Sequence, residues 1–218
     1  MNKPFAIFDM DGTLVDSMVY WQRLGREYLA SRGVTEGVDE VLERIKAMTM
    51  AESSALFIET FGLPGTPETV EAEMNAVMDE HYRSDIPLKP GAADYLAALK
   101  ARGTKMCVAT ATPEPLARAC LKRLGGLEDF AFLLSCDEVA AGKDKPDVFF
   151  EAARRLGSAP AETAAFEDAL FAARTAKDAG FYTVGVYDAS GDGHWNELTA
   201  LADETVRDWS AAAERMKI

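Results

Sequence analysis

At 218 residues, 48% hydrophobic and 27% charged, the chain has enough apolar material for one domain with an insertion, or for two small domains. Its formal net charge of −13 argues against nucleic acid or an anionic membrane surface as partner, since both need basic patches. Any anionic ligand must therefore be attracted locally, since bulk charge will not help. No basic-then-apolar leader is visible, and no apolar run approaches the ~20 residues of a membrane span. Cys107, Cys120 and Cys136 form no C-x-x-C pair. They read as reduced, mostly buried thiols of a cytoplasmic protein.

The first element is the apolar run 5–8, which has the pattern of a buried strand and ends in two carboxylates, Asp9 and Asp11, before a Gly12-Thr13 turn. Alternate side chains of an extended chain share a face, so Asp9 and Asp11 are expected side by side. They would lie at the carboxyl end of a parallel strand, where open α/β sheets place ligands. Two anions so close repel unless a cation or proton lies between them, which points to a metal site.

Segments 17–31, 38–47, 51–61 and 67–83 then have helical spacing, broken at Gly33, Gly37 and Gly62-Leu63-Pro64-Gly65, with no strand signal among them. The simplest account is a helical domain inserted just after the first strand. Pro87-Leu88-Lys89-Pro90-Gly91 marks the return. From Lys105 onward, strands at 106–110, 131–135, 163–166 and 182–186 alternate with helices at 114–124, 148–156 and 169–179. Such alternation implies a parallel sheet with helices on both faces.

Asp9-Met10-Asp11-Gly12-Thr13-Leu14-Val15-Asp16-Ser17 resembles the D-x-D-G-T-L-x-D-S signature of the haloacid dehalogenase-like hydrolase superfamily. Three further segments match that superfamily in order. Thr110 closes a strand in Val108-Ala109-Thr110-Ala111-Thr112. Lys143 falls in Gly142-Lys143-Asp144-Lys145-Pro146-Asp147-Val148-Phe149, where Pro146, Asp147 and Phe149 fix the alignment and select Lys143 over Lys145. Phe166-Glu167-Asp168 directly follows a strand. The matches span 5–180 and imply an α/β fold, a Rossmann-like parallel sheet with helices on both faces and an inserted all-α four-helix cap. The core would comprise 1–16 and 86–218, the cap 17–85.

The resemblance also implies a chemistry: hydrolysis of a phosphomonoester through an aspartyl-phosphate. Asp9 would attack phosphorus, and Asp11 would protonate the leaving alcohol and then deprotonate water. Thr110 would hydrogen-bond the transferred phosphoryl, and Lys143 would offset the carboxylate repulsion. The 11–13 turn would present backbone N–H groups to the phosphate. Mg²⁺ would be held by Asp9, the Asp11 backbone carbonyl, Asp168 and Glu167, the last directly or through water. Where the family often has Ser and then Gly after the fourth motif, this chain has Ala169 and Ala172.

Asp11 favours C–O–P chemistry over dehalogenation, because a halide leaving group needs no proton. The alternative within the family is a β-phosphoglucomutase-type phosphosugar mutase, which must hold a second phosphate with extra cations. Members of that branch carry Ser-Lys-Asn where this chain reads Thr112-Pro113-Glu114, an Arg where alignment through 46–53 gives Met50, and a His where Trp21 falls. These departures favour a phosphatase acting on a small phosphorylated metabolite. A non-catalytic binding protein on the same scaffold is the other class, which the intact charge set disfavours. Met18, Tyr20, Trp21, Met48 and Met50 are expected either to line the cap face toward a partly apolar leaving group or to pack the cap core. Cap closure would hinge near Asp16 and 85–90. The expected partners include neither nucleic acid nor membrane, and the expected state is a monomer or weak dimer.

Overall fold

The computed structural model describes residues 2–45, 48 and 50–216. By backbone proximity the chain divides into two compact units, Met1–Met18 with Ile86–Ile218, and Val19–Asp85.

The inserted unit carries helices α1 (Met18–Ser31, whose first residue belongs to the other unit), α2 (Val38–Ile45), α3 (Met50–Phe61) and α4 (Pro67–Ser84). Its apolar stripes meet in a core of Leu24, Tyr28, Leu29, Val41, Phe57, Val70, Met74 and Met78. Thr66 caps α4 by accepting from the Thr69 N–H, with Pro67 at the first helical position, a residue whose missing N–H costs nothing there. The expected end of the second helix, Lys46 and Ala47, lies outside the described residues, as does Thr49.

The other unit contains six parallel strands, β1 (Phe5–Phe8), β2 (Lys105–Thr110), β3 (Leu133–Ser135), β4 (Thr163–Glu167), β5 (Tyr182–Val186) and β6 (Glu204–Val206), in the order β3-β2-β1-β4-β5-β6. Around them lie α5 (Ala92–Ala101), α6 (Glu114–Arg123), α7 (Asp147–Leu156), α8 (Leu170–Asp178), α9 (Trp195–Leu201) and α10 (Trp209–Met216). This is the doubly wound α/β class that the alternation implies. Strand periodicity sorts the two faces. Phe8 lies in register with Phe166 and stacks on it at 4.2 Å between ring centroids. Trp209 of α10 and Tyr95 of α5 cover that face, 4.8 Å from each other. Ile7, Cys107 and Ala165 face the opposite way, in one cluster with Val148, Phe149 and Ala152 of α7 and Ala172 and Ala176 of α8.

Because β1 has β2 on one side and β4 on the other, the winding reverses at β1. The carboxyl ends of these three strands form the switch-point crevice that doubly wound folds use for ligands.

The strand expected at 131–135 is shorter, Leu133–Ser135, although the Ala131 N–H still bonds to the Met106 carbonyl. Helices α5, α9 and α10 and strand β6 are additions to the sequence reading. β6 is three residues long at a sheet edge, with Glu204 and Thr205 half-exposed, so it has no apolar run to betray it. Helix α10 is anchored by the Trp209 indole N–H, which donates to the Thr13 carbonyl 3.0 Å away. None of the described helices is long and apolar enough to cross a membrane.

Candidate active site

Asp9 directly follows β1, and its N–H still pairs with the Phe166 carbonyl at 3.0 Å. The chain then curls. The Met10 carbonyl accepts from both the Leu14 and Val15 N–H groups, so Asp11 lies in a turn and not in an extended strand. Strand alternation therefore does not set its position. Two hydroxyls hold it: Ser17 Oγ donates to Asp11 Oδ1 and Thr112 Oγ1 to Asp11 Oδ2, each at 2.6 Å. The Gly12 N–H, expected to face a phosphate, instead donates to the Val15 carbonyl at 3.0 Å. A turn this tight spends that donor internally.

Gly12 is required for two reasons. Its φ is +75°, and a Cβ there would stand 2.3 Å from Asp168 Oδ2. The adjacent Thr13 donates its hydroxyl to Asp168 Oδ1 at 2.8 Å. The first turn thus buttresses the carboxylate that follows β4.

Lys143 is buried, whereas Lys145 is exposed. The Lys143 ammonium, supplied by the segment between β3 and α7, donates to Asp9 Oδ1 and, at 2.8 Å, to Glu167 Oε1. Burial alone would lower its proton affinity, but the Asp9 and Glu167 charges outweigh it and keep Lys143 firmly protonated. Asp9, Glu167 and Asp168 each offer an oxygen within 4.8 Å of the others. Burial raises all three carboxyls above their ordinary range. Lys143 opposes the rise at Asp9 and Glu167, while the neighbouring Asp9 charge adds to it at Asp168, which reaches about 7.

These carboxylates outnumber the ammonium that bridges two of them. The surplus of negative charge and the all-oxygen donor set fit a hard divalent cation. Asp11's carboxylate, engaged by Ser17 and Thr112, is not among the three.

Thr110 ends β2 fully buried, and its Oγ1 accepts from the Thr112 N–H at 3.0 Å, which orients Thr112 toward Asp11. On the other flank, Lys89 and Asp188, both largely buried, pair at 2.7 Å, and Lys89 also donates to the Tyr187 carbonyl. The Asp188 charge adds to the upward pressure on Asp168. The sequence motifs assign no role to the side chains of Thr13, Ser17, Lys89, Thr112 or Asp188. Asp188 carried a usable signal, a carboxylate just past a strand, as at Asp9 and Asp168.

Of the residues expected either near the leaving group or in the cap core, Tyr20 and Trp21 hydrogen-bond within the inserted unit, to the Asp85 carbonyl and the Tyr82 hydroxyl. Met48 is exposed, and Met18 lines a cleft beside Asp168. The three cysteines are buried and free, and burial pushes their thiols up, Cys120 to about 11, away from the thiolate form that nucleophilic attack needs.

A switch-point carboxylate beside a buried lysine, with further carboxylates at the next strand end, is the site of an α/β enzyme with a charged crevice at its strand ends. The model of the haloacid dehalogenase-like hydrolases matches residues 5–180, and the chain belongs to that family, as a phosphoric monoester hydrolase. It is 31% identical over 197 residues to a beta-phosphoglucomutase of Bacillus subtilis, covering 83% of this chain and 82% of that one. It is 30% identical over 207 residues to the validoxylamine A 7'-phosphate phosphatase of Streptomyces hygroscopicus subsp. limoneus, covering 93% and 92%. Among solved structures, CbbY of Rhodobacter sphaeroides in complex with phosphate superposes with a TM-score of 0.71 at 26% identity, over 96% of each chain.

Proposed function

We propose that this enzyme is a magnesium-dependent phosphatase that hydrolyses a small phosphomonoester through a phosphorylated Asp9. The observation that carries the reading is the convergence of Asp9, Lys143, Glu167 and Asp168 at the carboxyl ends of β1 and β4. Mg²⁺, held by Asp9, Glu167, Asp168 and the Asp11 carbonyl, would neutralise the carboxylate surplus and draw the phosphate oxygens to the site.

The chain's own residues carry the remaining steps. A carboxylate oxygen of Asp9 attacks phosphorus in line, the bond from phosphorus to the ester oxygen breaks, and Asp11 delivers its proton to the departing alkoxide. A water then attacks the phosphoryl group. Asp11 takes the water's proton, and the bond between phosphorus and Asp9 breaks to release inorganic phosphate and restore the carboxylate. Thr110 contributes its hydroxyl to the transferred group. Lys143 holds Asp9 in place and stays protonated throughout, because two buried carboxylates share its protons.

A phosphosugar mutase is the second reading, favoured by the 31% identity to a beta-phosphoglucomutase. It needs cations for a second phosphate. The first turn of α6 instead presents Glu114, which is paired with Arg118. We take the protein to be cytoplasmic, since three buried unpaired thiols suit a reducing compartment, and to act as a monomer or weak dimer.

The test is phosphate release from a panel of phosphomonoesters with and without Mg²⁺, beside Asp9→Asn. Metal-dependent release, falling by at least about 10⁴-fold in the variant, is expected. β-Glucose 1-phosphate converted to glucose 6-phosphate, given a trace of bisphosphate and without net hydrolysis, would transfer the case to the mutase. Near-normal turnover by Asp9→Asn would remove Asp9 as nucleophile.

A further inference from the structure

A cleft of about 420 Å³ opens beside Asp168, within the size range of small-molecule sites. Met18, Leu170 and Phe171 form its apolar side, while Ser190 and His194 stand in the wall that follows β5. Core packing does not account for these apolar side chains. Helix α8 is seated on the sheet by Ala172, Ala173 and Ala176, all buried, whereas the Phe171 side chain stays 59% exposed at its first turn. One exposed Phe is ordinary. Apolar groups from two separate segments, converging on a cleft that has a candidate metal carboxylate in its wall, are not a scatter of single residues.

The polarity of the walls narrows the occupant. Ser190 Oγ already donates to Asp188 Oδ1, so it offers a ligand lone pairs only. Asp168 and His194 are the other polar side chains of the lining; a polyol could pair with that wall but would leave hydroxyls against the apolar side, and each one desolvated there without a partner counts against binding. An alkyl or aryl group would exchange water for the faces of Met18, Leu170 and Phe171.

We propose that this cleft is the leaving-group subsite, and that the preferred substrates are phosphomonoesters of alcohols with an apolar chain or ring, which Phe171 selects over polyol phosphates. The inference rests on the phosphatase reading. It assigns to Phe171, Leu170 and Met18 a part in specificity and none in the chemistry.

The test uses ethyl, propyl, butyl and pentyl phosphate, whose leaving alkoxides are of nearly equal basicity, so that differences in kcat/KM report the hydrocarbon. With the wild-type enzyme and Mg²⁺, kcat/KM should rise about three- to fourfold per methylene over the first members. Phe171→Ser should flatten that rise to below about twofold per methylene, and Phe171→Leu should restore part of it. Phe150→Ser removes another exposed ring, on α7 and away from the cleft, and should keep the wild-type slope. A flat series in the wild type, or an unchanged slope in Phe171→Ser, overturns the subsite while leaving the phosphatase intact. No metal-dependent turnover of any ester, with Asp9→Asn indistinguishable from wild type, overturns both.

Discussion

Thr112 donates its hydroxyl hydrogen to Asp11 Oδ2 at 2.6 Å, joining the end of β2 to the turn after β1 across 101 positions of sequence. In the proposed mechanism the bond fixes where Asp11 would deliver its proton. Ser17 holds the other oxygen, so Asp11 has little freedom to rotate.

Thr112→Val keeps the shape and removes the donor. Hydrogen bonds to charged groups contribute about 1.5–3 kcal/mol, so kcat should fall roughly 10- to 100-fold. Thr112→Ser should recover most of the loss. Steady-state kinetics on one phosphomonoester, with thermal melts to show that the fold persists, checks this. A valine variant with unaltered kcat would remove Thr112 from the positioning of Asp11.

Lys143 satisfies two buried carboxylates, so its removal strands both. Lys143→Met should cost about 3–5 kcal/mol of stability near neutral pH in addition to abolishing turnover. The cost should shrink near pH 5, because burial raises the Glu167 carboxyl well above its ordinary value and the carboxyl then takes up a proton. Urea unfolding at pH 5 and pH 8 measures the difference. A penalty that is larger at the acidic pH would contradict this account.

Asp168 ties stability to pH and, if it holds the proposed Mg²⁺, to metal. Burial, reinforced by the Asp9 charge, lifts it from 3.8 to about 7. A carboxyl whose folded value exceeds its unfolded one contributes stability in full below the unfolded value and loses it as pH rises through the folded value. The metal-free enzyme should therefore lose stability between about pH 4 and pH 7 from this group. Mg²⁺ competes with that proton, so the rise in Tm on adding it should be larger at pH 8 than at pH 5. Melting curves with excess Mg²⁺ or with chelator, at both pH values, decide the matter.

Gly12→Ala tests the close approach behind the carboxylates. The left-handed backbone disfavours alanine by about 1–2 kcal/mol, and the new methyl group would collide with Asp168 Oδ2. Asp168 must then move. Mg²⁺ affinity should fall about 10- to 100-fold, as when groups supporting a metal ligand are lost. Calorimetric titration of Mg²⁺ into both proteins measures it, and equal affinities would show that Asp168 does not hold the ion.

Much of the sheet could be read along the chain. β1 and β5 lie at the expected residues, and β2 and β4 differ from their expected bounds by one residue at one end. The cause is local: uninterrupted apolar runs between turn residues leave few alternatives in a parallel sheet buried on both faces. The same logic fails for β6, a short edge strand with no hydrophobic run of its own, which pairs because β5 offers a free edge. At β3 the run is apolar, but pairing with β2 covers only Leu133–Ser135.

By itself the sequence determined the alternation of strands and helices, and hence a parallel sheet with helices on both faces and with Asp9, Thr110 and Asp168 at strand ends; that those three strands are neighbours came with the structure. Apolar runs and the succession of elements are properties of short stretches of chain. Only the tertiary structure decided that Lys143, which the motif already selects over Lys145 and directs to Asp9, also bridges to Glu167. It also decided that Thr112 and Ser17 hold Asp11, and that Met18, Leu170 and Phe171 share a cleft. Such contacts join residues far apart along the chain. Their partners are chosen by how the loops pack once the sheet has closed, and no local pattern encodes that choice.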